Sequence, residues 1–303
     1  MNNRKAAYRP SQIIVAVVIV LIFAVVLFAV FNPLKFRKLT NSLNGDFDTT
    51  RDFVKFMDVG QGDSALIYSN GFSAVIDIGE PTAANDVAAD LYDCKIERLD
   101  AVLVSHLHSD HVGGLPQLAD IFKIENLIMP ELQKRSIAAA QNGKSIATKN
   151  GANFYNATQG INFNLGEFEI TLLGAFPDKS NENNRSLFIM AEIKNQRFLF
   201  TGDAETKAEK LLLEENLDID CDVLKVSHHG SNTSSSKNFL KATTPDYAVI
   251  SVGEGNMYGH PNNQTLQSLK SIGATVYRTD QSGDITFEIE RGKIKIQTEN
   301  NKR

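Results

Sequence analysis

The chain has 303 residues, 42% of them hydrophobic and none of them Trp, with a formal net charge of −5; that suits one large domain or two small ones with an ordinary buried core. The charge is uneven: residues 1–40 hold six basic residues and no acid, so the remainder sets 25 basic against 36 acidic side chains, or −11. A body that acidic excludes a general nucleic-acid binder, which needs clustered Lys and Arg to neutralise phosphates.

Residues 1–12 form a short basic tail. Ile13–Phe31 is an unbroken apolar run, which at about 1.5 Å per residue covers most of a hydrocarbon core of about 30 Å. No A-x-A cleavage pattern follows it, so a retained single-pass membrane anchor is expected rather than a signal peptide, with the tail inside and the domain extracellular. Residues 32–50, mostly polar from Thr40 to Thr50, read as a tether, and 51–303 as the domain. There "DFVKFMDVG" alternates like a strand and ends at the turn "GQGDS". "ALIYS" and "FSAVIDIG" flank Asn70-Gly71, whose positive φ angles mark a hairpin. Pro81–Cys94 reads as helical, and "LDAVLVSH" as a strand apolar on both faces, hence parallel and helix-covered. A short helix over Leu115–Phe122, the strand "IENLIM" and a weak helix over 131–150, broken at Gly143, follow. The strands "INFNLGEFEITLLG", "SLFIMAEI" and "RFLFTGD" then precede a helix over Ala204–Glu215. "CDVLKVSHHG" and "DYAVISVG" are buried strands, and Pro261–Ser271 a helix stopped by Gly273. "ATVYRT", "ITFEIE" and "KIKIQ" are expected to close the chain as antiparallel strands around "DQSGD". Cys94 and Cys221 have no ligand spacing and are expected to be free thiols.

Two buried strands, one in each half, end in histidines: "LDAVLVSHLHSDH" and "CDVLKVSHHG". Ligands bind at the carboxyl ends of strands in α/β folds, so two βα halves facing each other across one site are expected. The class is α/β (α+β), a four-layer αβ/βα sandwich preceded by one transmembrane helix. Of the six histidines, three lie in "SHLHSDHVGG", residues 105–114. Imidazole and carboxylate are the usual protein ligands of Zn²⁺ and similar ions. On a tight loop after a strand, His106 and His108 can face one ion, and Asp110 with His111 a second. Gly113 and Gly114 then let the backbone turn closely into a helix.

"HLHSDH" matches the His-x-His-x-Asp-His signature of metallo-β-lactamase-fold hydrolases, and the resemblance runs along most of residues 52–290. "MDVGQGDSALI", "NNRSLFIM", "FTGDAE", "LKVSHHGSNTSSS" and "VGEGNMYGHPN" are similar to the hydrolase domain of ComEC-type competence proteins. Those proteins carry a many-helix DNA channel, so this chain looks like a stand-alone, membrane-anchored relative. The resemblance implies one or two ions, commonly Zn²⁺ and sometimes Mn²⁺, and hydrolysis by metal-bound hydroxide. It places His106 and His108 on the first ion, Asp110 and His111 on the second, and Asp203 between both; Asp203 is also a candidate helix cap. His229 is expected on the second ion with His228 beside it, and His260 as a ligand or general acid. Where ordinary members place another His, "SNENNRSLFIM" has none; Asn183 or Asn184 is the candidate amide ligand there, or orients substrate. Asp110 is expected to take a proton from the attacking water, with His228 and His260 as its catalytic companions. Asp58, Asp63 and Asp77 are candidates to orient imidazoles or to stabilise turns. Ser231, Thr233 and Ser234–Ser236 offer hydroxyls for an anionic group, and Lys225 and Arg185 add charge nearby. The expected activity is that of a phosphodiesterase or DNase-like hydrolase at the envelope, with nucleic acid held without tight binding. The alternatives are a hydrolase of a small ester (a phosphorylcholine ester, a lactone or a β-lactam) and a non-catalytic, metal-dependent binding module.

Overall fold

The computed structural model describes residues 10–43, 47–133 and 136–302. The N-terminal apolar run lies in helix α1 (Pro10–Phe31), followed by α2 (Pro33–Leu43). The first half of the body contains β1 (Asp52–Phe56), β2 (Ser64–Ser69), β3 (Phe72–Ile78), α3 (Ala84–Asp93), β4 (Arg98–Leu103), α4 (Ser109–Val112), α5 (Leu115–Ile121), β5 (Lys123–Met129), α6 (Ala138–Lys149) and β6 (Asn153–Asn156). The second contains β7 (Asn162–Leu165), β8 (Phe168–Ala175), β9 (Leu187–Ile193), β10 (Gln196–Phe200), α7 (Thr206–Glu214), β11 (Val223–Lys225), α8 (Lys237–Thr243), β12 (Tyr247–Ile250), α9 (Asn263–Ser271), β13 (Thr275–Arg278) and α10 (Thr279–Ser282). β14 (Ile285–Glu290) and β15 (Lys293–Thr298) end the body.

The strands form two sheets. One has eight strands in the order β15-β14-β1-β2-β3-β4-β5-β6, the other seven in the order β13-β12-β11-β10-β9-β8-β7. Asn70 and Gly71 take φ of 50° and 88° and close the antiparallel β2–β3 hairpin, in which Tyr68 faces Ser73. β4 pairs in parallel with β3 and β5, as its two-sided apolar pattern predicts. Between the sheets Phe56 meets Phe200 at 5.7 Å and Phe287 at 5.8 Å, ring centre to ring centre. On the outer face of the first sheet, Leu91, Leu115 and Leu118 belong to one buried cluster; Leu212, Phe239 and Leu269 belong to another on the second. The layers run helix, sheet, sheet, helix, the expected four-layer sandwich. Cys94 and Cys221 are buried free thiols in separate clusters.

Four local expectations give way. β13 pairs in parallel with β12, and β14 antiparallel with β1 in the other sheet. "DQSGD" is therefore a crossing between sheets, carried by α10, and the closing hairpin is β14–β15 alone. α6 runs unbroken through Gly143. That residue serves packing: a Cβ there would lie 2.5 Å from Leu115 Cγ and 3.0 Å from its Cβ. Alanine in a helix gains roughly 0.5–1 kcal/mol over Gly, but overpacking a filled core costs about 1–3 kcal/mol, and Leu115 is fully buried. Gly143→Ala should lower stability by about 1–2 kcal/mol in urea unfolding; equal or higher stability would show that Leu115 yields. The polar β6 and the short α8 carry too little apolar pattern to be read from sequence. Finally, the expected tether is partly helical. α2 packs on α3, where Arg37 pairs with Asp93 and Lys38 sits 5.6 Å over the Tyr92 ring.

α1 exposes large apolar side chains from Ile14 to Phe31, such as Val20 at 65% and Phe31 at 76%. Among the described residues no single helix is long and apolar enough to cross a membrane; Val17–Phe31 and Pro33–Asn41 pass that test together as a pair bent by 113°.

Candidate metal centre

The loops after β3, β4, β10 and β11 converge at one end of the sandwich. Asp77, near the end of β3, fixes the first wall. It accepts from Ser105 N at 2.7 Å and Ser105 Oγ at 2.6 Å, and its Oδ2 lies 2.8 Å from His111 Nδ1. With Nδ1 engaged, His111 turns Nε2 toward Asp203 Oδ1, 3.2 Å away, the orientation a carboxylate gives a ligand imidazole. Gly113 and Gly114 have near-helical φ of −59° and −77°, so no special backbone freedom is needed there. Their value is close approach: an added Cβ would meet Pro81 Cδ at 2.6 Å or Ile78 Cγ2 at 2.6 Å.

The second wall begins at Gly202, with φ of 49° and only 2.8 Å from a would-be Cβ to Ser105 Oγ. Such a residue must be Gly both for its left-handed backbone and for the contact. Asp203 follows, buried, with its N donating to Ser186 Oγ at 3.0 Å. It does not cap α7, whose N-cap position is Glu205. After β11 the chain takes three consecutive positive φ angles: His228 51°, His229 53° and Gly230 82°. Each non-Gly residue there costs roughly 1–2 kcal/mol. Around the turn His228 N donates to Gly202 O at 3.1 Å and Asn262 N to Gly230 O at 2.9 Å. This turn, rather than strand alternation, divides the two imidazoles. His229 points inward, with Nε2 3.2 Å from Asp110 Oδ2 and 3.6 Å from Asp203 Oδ1, and Nδ1 2.9 Å from Ser251 O and 3.3 Å from Asp63 Oδ1. His228 faces the rim, with Nδ1 3.2 Å from Thr233 Oγ1 and 3.5 Å from Glu205 Oε1, and Nε2 3.9 Å from Asp203 Oδ2.

Among the described residues two donor groups meet at Asp203, and a third, Asp63, Asp77 and His111, backs the His111 ring. Atoms of Asp110, His111, Asp203 and His229 lie within 4.8 Å of one another, and so do those of His106, His108 and Asp203. His106 Nε2 is 3.1 Å from His108 Nδ1 and 3.9 Å from Asp203 Oδ2. The fit to a cation rests on unfinished bonding: His111 Nε2 and Asp203 Oδ1 are buried, face each other, and neither makes a hydrogen bond. Charge agrees. Asp63, Asp77 and Asp203 are buried and Asp110 partly so, and among the described residues the one buried ammonium beside them is that of Lys225, 2.7 Å from Asp63. Burial alone would raise Asp203, but the His111 and His229 imidazoles hold it well below the usual carboxylate range. Conversely, burial would lower His229, yet Asp203, Asp110 and Asp63 raise it to about 10. Asp203, Asp77 and Asp63 likewise outweigh burial at His111 and hold it well above an ordinary imidazole. His106 moves the other way, well down, through burial and the neighbouring His111 charge. Nitrogen and carboxylate donors in this number suit Zn²⁺ or a similar divalent ion.

An open polar cleft of about 200 Å³ lies above these groups, with His108 and Asp110 among its lining and Asn183, His228 and His260 facing it. His260 belongs to none of the donor groups; its ring centre is 5.5 Å from His228 and 6.4 Å from His229. Burial, then the charges of His228 and His229, lower it. Asn183 lines the cleft, whereas Asn184 turns its Nδ2 to Asp178 at 3.1 Å; the Oδ1 of each is buried and unpartnered. Asp63 and Asp77 orient imidazoles; Asp58 instead holds a turn, accepting from Gly60 N at 3.2 Å. Other expected helpers are occupied elsewhere. Lys225 is buried against Asp63, Arg185 pairs with Glu182 at 2.9 Å, and Ser234 donates to Ser227 O at 3.1 Å. The backbone N–H groups of Ser235 and Ser236 serve the buried Glu209 carboxylate. Sequence reasoning passed over Gln61, Glu205 and Tyr258, whose signal is their place inside "GQGD", "TGDAE" and "MYGH".

A model of the metallo-beta-lactamase superfamily matches residues 57–254. ComE operon protein 3 of Bacillus subtilis (strain 168) is 30% identical over 256 residues, covering 77% of this chain and 32% of that protein. Competence protein ComA of Neisseria gonorrhoeae is 32% identical over 246 residues, covering 80% and 33%. The chain thus spans about a third of the length of these curated relatives. Zn(2+)-bound PqqB from Methylobacterium extorquens shares the fold, with a TM-score of 0.52 at 12% identity over 75% of this chain and 97% of that one.

Proposed function

The chain belongs to the metallo-beta-lactamase superfamily, and from that premise we propose that it is a metal-dependent phosphodiesterase of the cell envelope. The observation that carries the reading is the sharing of Asp203 by two adjacent donor groups beneath one open polar cleft. Paired ions a few ångströms apart suit in-line displacement at phosphorus, and the similarity to proteins named for competence points to nucleic-acid phosphodiesters. Held by Asp110, His111, Asp203 and His229, or by His106, His108 and Asp203, a divalent ion would lower the pKa of a bound water and act as a Lewis acid for the phosphoryl oxygens. The chain supplies the rest. Asp110, held through Oδ2 by His229 and about one-quarter exposed, accepts the proton of the attacking water. His228, set by Glu205 and Thr233 through Nδ1, presents Nε2 to the cleft to donate to the leaving oxygen, and His260 stands beside it, 5.5 Å away ring centre to ring centre. Asp77 and Asp63 keep His111 and His229 aimed.

The test is a parallel assay of the full chain on bis-p-nitrophenyl phosphate, plasmid DNA and nitrocefin. Hydrolysis of the phosphodiesters, abolished by chelator and restored by Zn²⁺ or Mn²⁺, supports the reading. Turnover of nitrocefin alone would assign a small-ester hydrolase, and metal uptake without any turnover a binding module. The exposed apolar face of α1 supports membrane anchoring, and the basic N-terminal tail favours a body on the outer side. The full chain should then fractionate with membranes, and protease added to intact cells should remove the body; protection until lysis would reverse the orientation.

A further inference from the structure

Beside the cleft stands an aromatic group that the proton and metal chemistry leaves unused. Tyr258 lines the cleft yet is 70% exposed, and its neighbour Met257 is 98% exposed. The Tyr258 ring lies 5.9 Å from His260 at an interplanar angle of 23°, and His260 lies 6.4 Å from His229 at 26°. Neighbouring rings, each tilted by about a quarter of a right angle from the next, therefore step from solvent down to the donor group. The loop that carries Tyr258 and His260 is held from within. Asn256 Oδ1 accepts from Tyr258 N at 3.2 Å and His260 N at 3.1 Å, while its Nδ2 donates to Gly253 O at 3.1 Å and His260 O at 2.7 Å. Gly253 N in turn donates to Gln61 Oε1 at 3.2 Å. An exposed tyrosine on a pinned loop offers a flat face with little ordering cost on binding.

We infer that Tyr258 is the stacking platform for a nucleobase next to the scissile phosphodiester, so that the substrates are nucleotides rather than phosphodiesters at large. This rests on the phosphodiesterase reading. Among the described residues no Lys or Arg lines the cleft, and the body is acidic. Affinity beyond what bound ions give the phosphate therefore cannot come from Lys or Arg. Stacking supplies it instead, and without sequence preference, because every base has a π-face. Binding should depend only weakly on salt, unlike that of a protein that reads DNA through lysines.

Two measurements on the metal-loaded full chain in detergent test this. The first is binding of thymidine 5′-monophosphate against deoxyribose 5-phosphate by calorimetry, at low and high salt. The nucleotide should bind about 5- to 100-fold tighter. Tyr258→Ala should erase most of that preference and Tyr258→Phe should keep it. The second is hydrolysis of thymidylyl-thymidine against the same dinucleotide with an abasic sugar. Tyr258→Ala should raise KM for the first far more than for the second. Equal binding of the two monophosphates, or equal losses from Ala and Phe, overturns the inference. If cleavage occurs without any dependence on Tyr258, the phosphodiesterase reading stands and the platform falls. If Tyr258 governs nucleotide binding while neither dinucleotide is cleaved, the platform stands and the phosphodiesterase reading falls.

Discussion

Asp203→Asn should abolish phosphodiester hydrolysis, with a loss of well over a hundredfold, and should empty both donor groups together. A partner that merely orients a ligand already costs about 10–100-fold in affinity or activity when removed, and Asp203 faces the ligand atoms directly. Its Oδ1 stands 3.2 Å from His111 Nε2 and 3.6 Å from His229 Nε2, and its Oδ2 stands 3.9 Å from His106 Nε2. The amide keeps the shape and the Ser186 bond to the backbone N–H, so circular dichroism should be unchanged. The contrast is His108→Ala. His108 is exposed and belongs to one group only, so its loss should lower metal content by less than one equivalent while the other ion stays. Metal analysis after dialysis, set beside turnover, reads both variants. Full activity or full metal content in Asp203→Asn would remove Asp203 from the centre of the scheme.

The two groups should also hold their ions unequally, the second equivalent leaving on dialysis at least about tenfold more readily. Asp110, His111, Asp203 and His229 offer four donors; His106, His108 and Asp203 offer three. Where ordinary family members are expected to add a histidine, this chain has amides, and the structure separates the two candidates. Asn183 lines the cleft with its Nδ2 3.4 Å from His228 Nε2, whereas Asn184 is not part of the cleft lining and gives its Nδ2 to Asp178; the Oδ1 of each is buried without a hydrogen bond. A neutral amide oxygen is a poorer donor than imidazole to a borderline ion such as Zn²⁺ and suits Mn²⁺ better. Mn²⁺ should therefore activate comparatively well, and Asn183→His should tighten the weaker site while Asn184→His should not. Titration followed by anomalous scattering reads each occupancy. Two equally tight ions, or an ion found only beside His106 and His108, would refute the assignment.

What the sequence discloses here is what short-range chemistry encodes. Asn70-Gly71 announces its hairpin, the two-sided apolar β4 its parallel neighbours, and "HLHSDH" and "TGD" their donors, because each signal lies within a few residues. Pairings between distant segments are silent. Nothing local in "ATVYRT" tells that β13 joins β12 while the next strand crosses to β1. Lys225 resembles a cation for the cleft until Asp63, brought in from a loop 162 positions earlier, takes it into the interior. Gly143 carries the ordinary signature of a break, and only the position of Leu115 shows why a helix keeps it. Likewise the inward and outward aims of His229 and His228 follow from a left-handed turn that no periodicity announces.

Asp110 and His111 follow β4 of one sheet, whereas Asp203 and His229 follow β10 and β11 of the other. A cation gripped by all four is thus a clasp between the halves of the sandwich as well as a reagent. By mass action, free ion at a hundred times its Kd adds about 2.7 kcal/mol to the folded state, a large fraction of a marginal stability. Scarcity of the ion would then shorten the life of the molecule as well as silence it. Proteases would clear the unclasped chains first, and abundance of the protein would follow the supply of metal.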